Sequence, residues 1–113
     1  MRYSFSHIGV PVPQIPENAE FVETLQIYRI DSSEDPMCFE YTHFLKGSCL
    51  PEALQHELHI GYLVDNIHEA LKEAEEVLMP PMAVPQNKQI AFVRRQGVLV
   101  ELIAQGGLNE FTV

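Results

Sequence analysis

Basic residues are scarce in this chain: seven lysines and arginines stand against sixteen aspartates and glutamates, a formal net charge of −9. That balance excludes a general nucleic-acid or anionic-membrane role, because so few cations cannot track a phosphate backbone. The only adjacent basic pair is Arg94-Arg95. An anionic substrate would need a local positive element, either a metal ion or one placed arginine. Cysteine is equally sparse, with Cys38 and Cys49 alone, so no disulfide framework is available. No apolar stretch approaches membrane-spanning length, and residues 1–7 carry no secretory apolar region. The expectation is a cytoplasmic protein with both thiols reduced. The sequence also lacks a glycine-rich phosphate loop, a nucleophile elbow and a Cys-x-x-Cys pair. Its prolines and glycines are scattered, so no linker or low-complexity segment stands out.

What is present reads as an α+β domain. The chain has 113 residues, 46% of them hydrophobic and 20% charged, enough for one domain with a shared core. Residues 4–12 read as a strand stopped by Pro11 and Pro13, and 13–19 as loop. Phe21 to Ile30 carries β-branched and aromatic residues without helical periodicity and reads as one strand. Asp31 to Pro36 reads as a turn, Met37 to Leu45 as the next strand, and Ser48 as the cap of a short helical turn through Leu54. Leu58 to Val64 returns to strand character.

A helix is expected over residues 67–78, where Ile67, Ala70, Leu71, Ala74 and Leu78 share one face. Asn66 is its N-cap, with Glu69 placed for a capping box, and Met79-Pro80-Pro81 ends it. The last segment reads as a hairpin: Gln89 to Arg95, a turn at Gln96-Gly97, then Val98 to Ala104.

An internal repeat organises these elements. Ser6-His7-Ile8-Gly9-Val10-Pro11-Val12 lies over Leu58-His59-Ile60-Gly61-Tyr62-Leu63-Val64, with His-Ile-Gly identical in both. Each copy is followed by a strand holding one glutamate among apolar residues, Phe39-Glu40-Tyr41 and Val100-Glu101-Leu102. His7 precedes Glu40 by 33 positions and His59 precedes Glu101 by 42; the difference is about one short helix.

The chemistry concentrates in those four residues. Glu101 interrupts the buried-strand pattern of Val98 to Ile103, where an uncompensated carboxylate would cost several kcal/mol. It therefore needs a cation, a metal ion or a hydrogen-bond network, and Glu40 poses the same question more mildly. Strand alternation puts His7 on a face with Gly9, His59 with Gly61, and Glu40 with Cys38 and Thr42. Small neighbours leave room for a pocket. Two imidazoles and two carboxylates converging there would suit a divalent ion such as zinc, nickel, cobalt, iron or manganese. A single strand histidine is more often a hydrogen-bonded structural residue, and a lone strand glutamate more often salt-bridged, so those readings stand beside the metal. His43, His56 and His68 lack the repeat relationship and read as surface or loop residues. The two cysteines read as packing residues.

These segments resemble the vicinal-oxygen-chelate family, to which glyoxalase I belongs. Residues 6–12 look like its opening strand, residues 58–66 like the start of its second module, and residues 89–103 like its closing hairpin. The resemblance implies one domain over residues 1–113 with modules at about 1–50 and 57–106. Each would be a βαβββ unit, the first with its helix reduced or missing, and together they would form a cup-shaped mixed sheet around a metal. It also implies His7, Glu40, His59 and Glu101 as metal ligands, with Glu101 or Glu40 doubling as the catalytic base. The implied function is a metal-dependent, glyoxalase-like isomerase or lyase acting on a small oxygenated metabolite by enediolate stabilisation. Two alternatives share the scaffold: a metal-free small-ligand-binding module of the bleomycin-resistance type, and an iron(II) dioxygenase. Exposed sheet edges add the expectation of a homodimer.

Overall fold

The computed structural model of the protein describes residues 1–106; residues 107–113 of the expected domain lie outside the described residues. Strands dominate. In chain order they are β1 (Tyr3–Pro11), β2 (Glu20–Val22), β3 (Ile27–Ile30), β4 (Phe39–Phe44), β5 (His59–Val64), β6 (Glu76–Val84), β7 (Lys88–Arg95) and β8 (Val98–Gln105). The one α-helix described, α1, covers Ile67–Lys72, and three short 3₁₀ turns lie at Glu23–Leu25, Ser32–Glu34 and Glu52–Gln55. Parallel and antiparallel pairings occur together, which makes the sheet structure mixed. Among the described residues no helix is long and apolar enough to cross a membrane.

The chain divides into two compact units, His7–His59 and the combination of Met1–Ser6 with Ile60–Val113. In the amino-terminal unit the strands run β2-β3-β4-β1. β4 lies parallel to β1 and antiparallel to β3, with Ile8 aligned on Phe39, Gly9 on Glu40 and Thr42 on Arg29. Leu25, Ile27 and Leu54 are buried here. The strand expected over Phe21 to Ile30 is broken in two: a 3₁₀ turn intervenes, and Gln26 takes the left-handed conformation at φ 52°. The break lets β2 and β3 pair with each other as an antiparallel hairpin, which one continuous strand could not do. Ser48 does not cap the 3₁₀ turn at residues 52–55, whose N-cap is Pro51; its hydroxyl donates to the Leu25 carbonyl at 2.7 Å.

In the carboxy-terminal unit the order is β5-β8-β7-β6. β8 runs parallel to β5 and antiparallel to β7, with Ile60 aligned on Val100 and Gly61 on Glu101. The two units thus repeat one local register: the glycine of each His-Ile-Gly strand faces the glutamate of the strand beside it. Val64, Ile67, Ala70, Ala91, Val93, Val100, Leu102 and Ala104 form a buried cluster where α1 packs on the sheet. Asn66 caps α1 as expected, its side chain accepting from the Glu69 amide at 3.1 Å.

The helix itself is shorter than its periodicity suggests. It stops at Lys72, and Glu76–Val84 forms β6, paired with β7 over Glu76↔Arg94 to Val84↔Lys88. Leu78, read as a helix position, belongs to that strand. Tertiary pairing overrides the local pattern, because six residues of helix already cover the apolar face while the backbone of β7 offers a full ladder. Pro80 and Pro81 sit in the middle of β6, where the register shifts between Val77, Met79 and Met82; the strand lies at the end of the order, where prolines are tolerated. The closing hairpin turns through Gln96 and Gly97 at φ 51° and 81°, the two positive values that a tight type I′ turn requires.

Candidate functional site

His7 and His59 lie in the amino-terminal unit and come together there. Both are buried, at 4% and 6% exposure, and their rings meet edge to face with centroids 5.4 Å apart. Gly9 makes that approach possible. A Cβ built on Gly9 would fall onto the imidazole of His59, so the ring occupies the space that any other residue's side chain would need. The glycine of the His-Ile-Gly repeat is therefore a receptor for the second histidine. Its conformation is not the reason, since any residue could adopt it; the close approach is.

Glu40 stands across from Gly9 on β4. Its Oε2 accepts a hydrogen bond from Arg29 Nη1 at 3.3 Å, with the carboxylate side chain only 15% exposed. Arg29 Nε donates in turn to Glu20 Oε1 at 3.1 Å. Burial pulls the Arg29 pKa down, but the charges and hydrogen bonds of Glu40, Glu20 and Asp31 outweigh it and raise it above the ordinary arginine value. Nearby, the Ser33 hydroxyl hydrogen bond holds Asp31 below the usual carboxylate range. Arg29 was not singled out in the sequence reading. Its link to Glu40 depends on the β3–β4 register across eleven residues, and the visible signal was only one cation in an apolar strand.

Glu101, in the carboxy-terminal unit, is half-buried and lies opposite Gly61 on one side and Phe92 on the other. Two positions along, Ile103 faces Ile90. The corresponding pair beside Glu40 is Thr42 and Arg29. One glutamate of the repeat thus stands beside a guanidinium, and the other has apolar residues at the same places.

The remaining histidines lie elsewhere. His43 Nδ1 is 3.1 Å from the Val12 carbonyl, His56 is exposed with Nε2 3.8 Å from Glu52, and His68 is exposed on α1. Cys38 is half-buried and Cys49 exposed, and both are free thiols.

No protein-family model matches the chain, and no curated protein or solved structure matches it either.

Proposed function

We propose that this chain is a vicinal-oxygen-chelate type of protein that holds one divalent metal ion through His7, His59 and a glutamate of the repeat. In this reading it acts as a glyoxalase-like isomerase or lyase on a small oxygenated metabolite, and its two halves derive from duplicated βαβββ modules, the first without its helix. The observation that carries the reading is the imidazole pair: His7 and His59 are 4% and 6% exposed, with ring centroids 5.4 Å apart.

Two further features support it. Two imidazoles and a carboxylate are the donors that zinc, iron, nickel, cobalt and manganese accept. Gly9 supplies a cradle without which the His59 ring could not take its place. A bound ion would stabilise negative charge developing on substrate oxygens. In this reading Glu40, which accepts from Arg29 at 3.3 Å, or Glu101 would act as the base that moves the proton.

Elemental analysis of protein purified without chelator tests this directly. About one divalent ion per chain is expected in the wild type, with loss in His7→Ala and in His59→Ala. A blank result for every transition metal, persisting after reconstitution, would overturn the reading in favour of a metal-free small-ligand-binding module. A second reading, an iron(II) dioxygenase, draws on the same buried imidazole pair, which supplies the two-histidine part of the donor set such iron centres use. Dioxygen uptake by iron(II)-loaded protein with a vicinal dihydroxy substrate would select it; its absence would leave the isomerase.

A further inference from the structure

In the carboxy-terminal unit α1 covers one sheet face, and Val100, Leu102 and Ala91 on that face are 8%, 2% and 0% exposed. Counted from the glycine–glutamate register, Phe39, Tyr41 and Ile30 hold the equivalent positions in the amino-terminal unit. That unit has no α-helix among the described residues, and all three side chains are half-buried. Phe39 and Tyr41 alternate along β4 and Ile30 pairs with Tyr41, so the three share one face while Glu40 and Arg29 take the other. The two rings meet edge to face, with centroids 6.2 Å apart. On this apolar floor lies a cavity of about 420 Å³, within the size range of small-ligand sites. Its rim is acidic: Asp31, Glu34 and Asp35 line it, and residues 30–41 contain no lysine, arginine or histidine.

We propose that this cavity binds a small organic cation, an ammonium group that carries a hydrocarbon body. Its lining shares no residue with the metal site proposed above. The faces of Phe39 and Tyr41 attract positive charge through their ring quadrupoles, and the rim carboxylates supply the opposite charge. A bare metal ion would gain nothing from a hydrocarbon floor. A neutral apolar molecule would strip water from the carboxylates without compensating them, and an anion would be repelled. The acidic groups are also held in place. Asp35 Oδ2 accepts from the amides of Met37 and Phe39 at 2.9 and 3.0 Å, which fixes the turn into β4. The Ser33 hydrogen bond helps to keep Asp31 ionised. Arg29 attracts Asp31 as well, but its guanidinium is engaged with Glu20 and Glu40 on the opposite face.

Choline serves as the probe, compared with the neutral alcohol in which carbon replaces its nitrogen, and amide chemical shifts report binding. Choline should shift the amides of residues 30–41 in the millimolar range, and the alcohol should bind about tenfold more weakly. Tyr41→Leu, which keeps an apolar side chain, should weaken choline about fivefold and leave the alcohol within about twofold. Glu34→Gln should weaken choline about threefold, whereas Glu17→Gln, at an exposed acid elsewhere in the same unit, should leave it unchanged. Equal affinities for choline and the alcohol would overturn the proposal, because the cavity would then read hydrocarbon alone. The same shifts from sodium chloride at equal ionic strength would overturn it too, as would equal losses in Glu34→Gln and Glu17→Gln; either outcome reduces the rim to a diffuse attraction for counterions. An unchanged choline affinity in Tyr41→Leu, or no shifts in residues 30–41, would also refute it. Glu34 is exposed, so that variant decides the matter even if Tyr41→Leu fails to fold.

Discussion

Adding a single methyl group at Gly9 should disable the histidine pair, and the structure gives the size of the effect. The ideal Cβ of an alanine there coincides with the His59 imidazole, whereas at Gly47 the nearest atom is Gln26 Cγ at an ordinary 3.9 Å. Gly9→Ala must therefore displace a buried ring, and forcing extra volume into a filled site costs about 1–3 kcal/mol. Restricting the unfolded chain returns about 0.4–1 kcal/mol, leaving a net loss for Gly9 and a near-neutral or slightly favourable change at Gly47. Urea unfolding of Gly9→Ala and Gly47→Ala measures the difference. A cycle with His59→Ala isolates the cause: once the ring is gone, Gly9→Ala should cost almost nothing. Displacement of the ring should also weaken divalent-metal binding by about tenfold or more. A Gly9→Ala protein as stable as Gly47→Ala would refute the reasoning, as would a cost that persists without the imidazole.

Two further predictions concern stability alone. Gln89 is fully buried between Ala83 and Ala104 in the β6-β7-β8 register, and neither atom of its side-chain amide has a hydrogen-bond partner. Gln89→Leu removes both unsatisfied groups at similar volume and should raise the unfolding free energy by about 1–3 kcal/mol; lower stability in denaturant titration would contradict the account. Tyr3 donates to Glu73 at 2.7 Å, and desolvation followed by that hydrogen bond pushes its pKa up to about 12. The folded state then keeps a proton that the unfolded state releases from about pH 10, so this contribution is whole below pH 10 and declines as pH rises toward 12. Tyr3→Phe should flatten that alkaline decline, and an unchanged slope would count against it.

Much of the site was legible in the sequence because its residues sit in a repeat. His-Ile-Gly occurs twice, each time followed by a strand with one glutamate, and the structure sets each glycine opposite that glutamate in a parallel pairing. The hairpin turn was legible for a different reason, since Gly97 marks a backbone position with positive φ. Two things were not. Residues 73–78 carry a helical spacing of apolar side chains, yet β7 captures the segment as a strand; a one-dimensional pattern holds no information about which backbone is waiting beside it. Arg29 was invisible for a similar reason, because pairing across a hairpin, and not spacing along a strand, brings it to Glu40.

The double proline in β6 has a consequence for how this protein meets its own copies. At Pro80 and Pro81 two successive residues lack amide hydrogens, and the pairing with β7 shifts register once between Val77 and Met79 and again across the prolines, between Met79 and Met82. An incoming strand would find neither a continuous row of donors nor a flat margin on which to lie. Two adjacent residues without amide hydrogens make this end of the strand order a poor template for strand addition.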